Sequence, residues 1–172
     1  ISTGEFYVYE IHRSVLREQV EQISPSEIIA RKQDLEILKP LFHGDSNFRF
    51  TKVDDWIYNS DYATEQLLLQ FKTVNLKGFG IEALDAGIPA AGAVVHYLKE
   101  TQRSNPVHLN SIVLYNPSEY MQLDRSTKRN LEIMYSMQDG GKEGTLISIL
   151  DKTETPPGAR LLKKWIASPL RK

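Results

Sequence analysis

The chain has 172 residues, of which 41% are hydrophobic and 25% are charged. This balance is typical of a globular protein and excludes collagenous, low-complexity and wholly disordered chains. The absence of cysteine excludes a disulfide scaffold, thiolate metal sites and cysteine catalysis. The formal net charge of −1 divides into −4 for residues 1–107 (11 Lys and Arg, 15 Asp and Glu) and +3 for residues 108–172 (10 and 7). Neither value predicts a dedicated nucleic-acid surface.

The apolar stretches and the N-terminus of the sequence indicate whether the chain could cross a membrane or be secreted. The longest apolar stretch, around Ala86–Leu98, is shorter than a bilayer crossing and contains Pro89 and His96. No signal-peptide pattern opens the chain. It begins at Ile1 and not at Met, so we expect a piece of a longer protein. From the apolar stretches we expect no membrane partner.

Strand and helix signals alternate through the first part of the chain. They predict a strand over 5–11, a helix capped by Ser14, and strands over 27–30 and 48–51 with a helix over 34–42 between them. They also predict a helix from Asp61 to Phe71 and an apolar helix over 90–101. The last of these contains Ala90, Ala91, Gly92 and Ala93, whose small side chains let another element approach closely. The alternation predicts an α/β layered domain.

A boundary is predicted at Asn105-Pro106, which gives domains at 1–107 and 108–172. Beyond it, the patterns predict strands over 112–115 and 120–123, and a helix from Asp124 or Ser126 to Tyr135. Further helices are expected over 146–150 and from Thr155-Pro156 onward, the latter with Leu161, Leu162, Trp165 and Ile166 on one face. The second domain is therefore predicted to be mainly helical.

The sequence offers few signals for catalysis or cofactor binding. The histidines stand far apart without a carboxylate at metal-ligand spacing: His12, His43, His96 and His108. Gly140-Gly141-Lys142 lacks the first glycine and the hydroxyl residue of a phosphate loop, and Gly78-Phe79-Gly80 lacks the third glycine of a dinucleotide fingerprint. We expect no catalytic, cofactor or metal site in this chain.

Two charged sets have both a functional and an ordinary interpretation. The carboxylates Asp54, Asp55, Asp61 and Glu65 could hold magnesium for nuclease chemistry, but a turn and a helix cap with solvated charges explain them better. A basic set near the C-terminus could contact DNA, but a solvated face is favoured: Arg160, Lys163, Lys164, Arg171 and Lys172.

The helix over 61–71 has two faces. Thr64, Leu67, Leu68 and Phe71 have the spacing of a core stripe. The opposite side carries a second stripe that combines apolar and polar side chains: Tyr62, Glu65, Gln66 and Leu69. Such a face either docks a partner or touches a neighbouring loop, and we predict partner binding.

The second half of the sequence carries a series of specific motifs: Tyr120-Met121-Gln122-Leu123-Asp124, the run 127–133, Gly144-Thr145-Leu146, Leu150-Asp151-x-Thr153-x-Thr155, Gly158-x-Arg160-Leu161-Leu162-x-x-Trp165 and Pro169-Leu170. In their order and spacing, these motifs resemble the start of the core domain of MutS mismatch-repair proteins. Pro157 departs from the methionine or similar residue expected there.

The first half resembles the connector domain of the same family. Its landmarks are the run 1–6, Pro25-Ser26-Glu27-Ile28, Phe71, Gly78-Phe79-Gly80, the small residues 90–93 through Tyr97, and Lys99-Glu100-Thr101-Gln102. The resemblance therefore covers essentially the whole chain.

The resemblance implies a fold and a role. The connector is expected to be a ribonuclease H-like α/β domain, a mixed sheet flanked by helices, without nuclease activity. It would couple mismatch binding to the ATPase and engage MutL. The full-length protein would carry a Phe-x-Glu mismatch wedge ahead of Ile1 and a phosphate loop far beyond Lys172. It would use ATP and magnesium, bind mismatched duplex DNA as a dimer, and work in the bacterial cytoplasm at the nucleoid.

Two alternatives stay open at this point. One is an active ribonuclease H-like, metal-dependent nuclease built on Asp54, Asp55 and Asp61. The other is a MutS homologue specialised for recombination.

Overall fold

The computed structural model describes residues 5–23, 25–42, 48–102, 109–121, 123 and 125–171. His43, His108, Asp124, Lys172 and the predicted boundary at Asn105-Pro106 lie outside the described residues. The chain divides into two compact units, residues 1–17 with 25–115 and residues 18–24 with 116–172. Among the described residues, no helix has both the length and the apolar character that a membrane crossing requires.

The strands of the first unit form two parallel pairs. In one, β1 (Tyr7–Val8) lies beside β4 (Val113–Leu114). In the other, β2 (Glu27–Arg31) lies beside β3 (Arg49–Val53), in a register that places Glu27 opposite Arg49. The helix α2 (Lys32–Leu41) connects β2 to β3, as parallel neighbours require a crossover.

This combination of helices and parallel strands is compatible with the α/β class. The described strands form two separate two-stranded sheets, and both are parallel. The prediction of one mixed sheet is therefore not met by the described residues, and the ribonuclease H-like fold stays a prediction.

The helices α3 (Ser60–Phe71) and α4 (Gly87–Gln102) pack closely against each other. Gly92 makes this possible, because a Cβ atom at this position would lie 2.5 Å from the Ala63 Cα. Ala63 itself is fully buried. The prediction that small residues in the second helix allow close approach is confirmed.

The main core of the first unit lies beneath α3 and α4. It consists of Phe6, Val8, Leu67, Leu76, Ile81, Ala91, Val95, Leu109 and Ile112. Leu109 and Ile112 are almost completely buried, so the segment that leads into β4 belongs to this core. The first unit accordingly extends to Tyr115, whereas the predicted domain boundary follows residue 107 and stays a prediction.

Two helix starts differ from the predictions in their capping residue. Asn59, and not Asp61, caps α3: its side-chain oxygen accepts hydrogen bonds from the backbone N–H groups of Asp61 and Tyr62. His12, and not Ser14, caps the 3-10 turn Arg13–Val15 that leads into α1 (Leu16–Ile23). In both places several neighbouring residues can cap, and the backbone conformation decides among them.

The second unit contains α5 (Arg125–Asn130), α6 (Leu146–Leu150) and α7 (Pro156–Ala167). Thr155 caps α7 as predicted. The helix predicted to reach Tyr135 ends at Asn130, and Glu132 adopts a left-handed backbone with φ of 44°. Within the predicted strand over 120–123, of which residue 122 lies outside the described residues, Tyr120 forms an antiparallel bridge with Leu170.

Candidate functional site

The predicted partner-binding stripe lies opposite the main core on α3, and its first residue, Tyr62, packs against a second buried cluster of Val53, Ile57 and Ala93. Glu65 is exposed and Leu69 is 62% exposed, whereas Tyr62 and Gln66 are partly buried. On the inner side Leu67 is fully buried, and the other predicted core residues (Thr64, Leu68 and Phe71) are partly buried. Ala63, which the sequence analysis did not assign to the core, completes the buried side.

Tyr62 belongs to a cluster of three rings from three elements. Trp56 comes from the 3-10 turn Asp55–Tyr58, and His96 comes from α4. The Tyr62 ring centroid lies 4.9 Å from that of Trp56 and 5.7 Å from that of His96. Trp56 and His96 are 5.3 Å apart, and each of the three pairs is edge-to-face. This is the preferred geometry of aromatic pairs, so the cluster holds the start of α3 against α4.

His96 also forms polar contacts on both sides of its ring. Its Nδ1 lies 2.6 Å from the Tyr62 hydroxyl oxygen, and its Nε2 lies 3.4 Å from Glu100 Oε1. The Nε2 atom is buried and has no hydrogen-bond partner among the described residues. The tautomer with its proton on Nε2 lets Tyr62 donate to Nδ1, and its Nε2–H group lies near the Glu100 carboxylate without a hydrogen bond to it.

The electrostatic surroundings keep Tyr62 neutral. Burial raises the pKa of Tyr62, and the carboxylates of Glu100 and Glu65 raise it further. An ionised phenolate is therefore disfavoured, and the hydroxyl serves as a hydrogen-bond donor. The arrangement is suited to binding and not to nucleophilic catalysis.

Gln66 is connected to α4 by a polar contact. Lys99 donates from Nζ to Gln66 Oε1 over 3.0 Å, and burial lowers the pKa of Lys99. Toward the end of α3 the outer surface becomes apolar, in a shallow groove lined by Glu65, Leu68, Leu69, Lys72, Thr73 and Val74. Leu69 and Val74 are its most exposed apolar side chains. The stripe thus combines a polar middle with an apolar end.

Sequence reasoning missed the neighbours of the stripe on other elements. Trp56 lies in a turn whose position depends on the strand before it, so no periodic signal marks it. His96 and Glu100 stand four residues apart on α4, and this spacing is a signal that could have identified the pair.

The other candidate sites of the sequence gain no support. Among the residues that the structure describes, no group of three His, Asp or Glu side chains could hold a metal ion. Asp54 and Asp55 begin the turn after β3, and Asp61 lies exposed in the first turn of α3. The nuclease alternative is therefore not favoured.

The glycine and histidine motifs have structural roles in the described residues. Gly80 and Gly140 have φ of 70° and 69°, which favours glycine and fits tight turns. His12 caps the 3-10 turn before α1, and His96 belongs to the ring cluster. Arg160 and Lys163 are exposed on α7, in agreement with a solvated face.

Comparisons with known proteins agree with the resemblance in the sequence. A family model described as MutS domain II matches residues 1–112, and one described as MutS domain III matches residues 126–172. Proteins named DNA mismatch repair protein MutS are similar to the chain along its whole length. Those of Salinibacter ruber and Flavobacterium psychrophilum are each 44% identical over 99% of the chain, and that of Chlorobaculum parvum is 40% identical over all of it. The chain spans about a fifth of the length of these relatives, 19% to 20%.

Proposed function

The chain belongs to the MutS family of DNA mismatch repair proteins, and from this premise we propose a role for it as a coupling and docking segment. It comprises the connector domain and the start of the core domain. In this role it couples mismatch binding to the ATPase of the full-length protein, and it engages MutL. It performs no catalysis of its own.

The finer features of the full-length protein are part of the same proposal. The connector has a ribonuclease H-like fold over residues 1–107, and the core segment covers residues 108–172. ATP and magnesium bind elsewhere in the full-length chain, which contacts mismatched duplex DNA as a dimer at the bacterial nucleoid. The mismatch-repair names of the relatives support repair over a homologue specialised for recombination.

The proposed docking face consists of Tyr62, Glu65, Gln66 and Leu69. The observation that carries it is the 62% exposure of Leu69, beside the exposed Glu65, on a helix whose other side is packed into the core. Interface energy usually concentrates in a few well-packed anchors, and a partly buried Tyr62 fixed by His96 is preorganised for that role. MutL is the proposed partner.

The second unit has an apolar face for which we propose a different partner, the rest of the MutS chain. On α7, Leu161 is 42% exposed and Trp165 is 62% exposed. These residues belong to the apolar face that the sequence pattern predicts on this helix. Because the chain spans about a fifth of its relatives, the remaining sequence can supply the covering surface.

The docking proposal is tested in the full-length protein with Glu65 and Gln66 both replaced by alanine. We expect the free energy of unfolding to fall by at most about 1 kcal/mol, because Glu65 is exposed and the loss of Gln66 removes one hydrogen bond from Lys99. ATP-dependent recruitment of MutL to mismatched DNA should weaken, while mismatch affinity stays nearly unchanged. Surface plasmon resonance on immobilised mismatched duplex measures both quantities.

A matched control is available on α2. Gln33 and Glu36 are also one glutamine and one glutamate, both exposed, on another helix of the same unit. Replacing these two with alanine should leave MutL recruitment unchanged. Equal recruitment by the Glu65/Gln66 variant and the control variant would reject the docking role.

A further inference from the structure

Trp56 is an exposed aromatic residue directly beside the docking face. Its side chain is 54% exposed although two of its neighbours are aromatic rings. The ring of Tyr62 contacts it on the side of α3, and the ring of His96 contacts it on the side of α4. The indole is thus held in a defined place by two elements while much of its surface stays in water.

Carboxylates surround the same cluster. Glu100 has a 66% exposed side chain that lies 3.4 Å from His96 Nε2, and Asp61 and Glu65 are exposed on α3. Both Glu65 and Glu100 act electrostatically on the Tyr62 hydroxyl. Glu65 and Glu100 thus place two carboxylates near an exposed, electron-rich ring.

The ligand chemistry that matches such a surface is a cation. The face of a tryptophan ring attracts arginine and lysine side chains, and a neighbouring carboxylate adds charge attraction and accepts their hydrogen bonds. Nucleic acid does not match, because the carboxylates repel phosphates. The net charge of −4 over residues 1–107 favours the approach of the same type of partner.

We propose that Trp56 and Glu100 bind an arginine or lysine side chain presented by the protein that docks on α3. This inference rests on the proposed function, since it names the chemistry of the docked surface. Tyr62 and His96 act as positioning residues, because their rings hold the indole beside the docking face.

The test uses the full-length protein on mismatched DNA with ATP, and MutL as the probe. We expect Trp56→Leu to weaken MutL recruitment about tenfold, because leucine retains apolar area but lacks the ring face. Trp56→Phe should weaken it less. Glu100→Gln should weaken it and reduce its dependence on salt between 50 and 300 mM, since a charge attraction is lost. Both side chains are largely exposed, so these variants are expected to fold, and mismatch affinity serves as the control.

Charge reversal identifies the partner residue. Glu100→Lys should weaken recruitment more than Glu100→Gln, and one arginine or lysine of MutL, replaced by glutamate, should restore binding to the Glu100→Lys variant. Unchanged recruitment by the Trp56→Leu and Glu100→Lys variants would overturn the inference. An equal loss of MutL recruitment for Trp56→Leu and Trp56→Phe, with no loss for Glu100→Gln, would also overturn the inference. Trp56 would then act as an apolar contact only.

The failure of this inference is distinguishable from the failure of the docking proposal. If the Glu65/Gln66 alanine variant weakens recruitment while the Trp56 and Glu100 variants do not, docking on α3 stands and the cation site is rejected. If neither set has an effect, both proposals are rejected. If only the Trp56 and Glu100 variants weaken recruitment, the cation site stands and the contribution of Glu65 and Gln66 is rejected.

Discussion

Glu27 is the residue at which two strands and a helix of the first unit meet. Its carboxylate accepts hydrogen bonds from the hydroxyl of Thr51 on β3 and, over 2.9 Å, from the hydroxyl of Tyr97 on α4. Arg49, its neighbour across the strand pair, lies 3.8 Å away. The hydrogen bond from Thr51 is the main cause that lowers the pKa of Glu27, and Tyr97 and Arg49 add to it against the opposing effect of burial.

This environment predicts a pH-dependent contribution to stability. Because the pKa is lower in the folded chain than its ordinary value of 4.5, the unfolded chain takes up the proton more readily. The stabilisation is therefore complete above the ordinary value and is lost as the pH falls through the folded value.

We expect Glu27→Gln to lower the free energy of unfolding by about 1 kcal/mol at pH 7, because a neutral amide accepts the two hydroxyl groups less strongly. The difference from the original chain should shrink as the pH falls below the ordinary value of 4.5. Urea unfolding of both chains between pH 3 and pH 7 measures it. A difference that does not change with pH would show that the charge of Glu27 is not responsible.

At the scale of elements, the close packing of α3 against α4 depends on a single glycine, Gly92. A Cβ atom at position 92 would lie 2.5 Å from the Ala63 Cα and 3.0 Å from the Ala63 backbone oxygen. These are backbone atoms of α3, so they cannot move without separating the two helices. The same contact positions His96 of α4 beside Tyr62 of α3.

Gly92→Ala is therefore expected to destabilise the chain by about 3 kcal/mol, although alanine is the better helix former. Gly78→Ala is a suitable control, because a Cβ atom there meets nothing within 4 Å. Its effect on thermal unfolding should stay within about 0.5 kcal/mol. Equal melting temperatures of the two variants would show that the helices can separate at little cost.

Hydrophobic periodicity in the sequence predicts the positions of helices better than it predicts their capping residues. The predicted helix over 61–71 corresponds to α3 because its apolar spacing is regular over almost three turns. Its cap was misassigned because Asn59, Ser60 and Asp61 are all good capping residues. Trp56 was missed as part of the site because its 3-10 turn has no repeating pattern and its position depends on packing against α4.

At the scale of the whole molecule, the two units differ in how much of their apolar surface is buried by their own residues. The first unit buries a continuous core that includes Leu67, Ile81 and Val95. In the second unit no residue of α7 is buried, although the sequence pattern places four apolar side chains on one face of this helix. A periodic stripe shows that a helix has an apolar face, but it does not show whether the covering surface lies within the same 172 residues.

The central claim, that MutL docks on the outer face of α3, is tested most directly by site-specific photo-cross-linking in the full-length protein. A photoreactive phenylalanine analogue replaces the exposed Leu69, and in the control it replaces Ile37, which is 46% exposed on α2. The account predicts a cross-link from position 69 to MutL that requires ATP and mismatched DNA, and none from position 37. The absence of a cross-link from position 69, or equal yields from both positions, would contradict it.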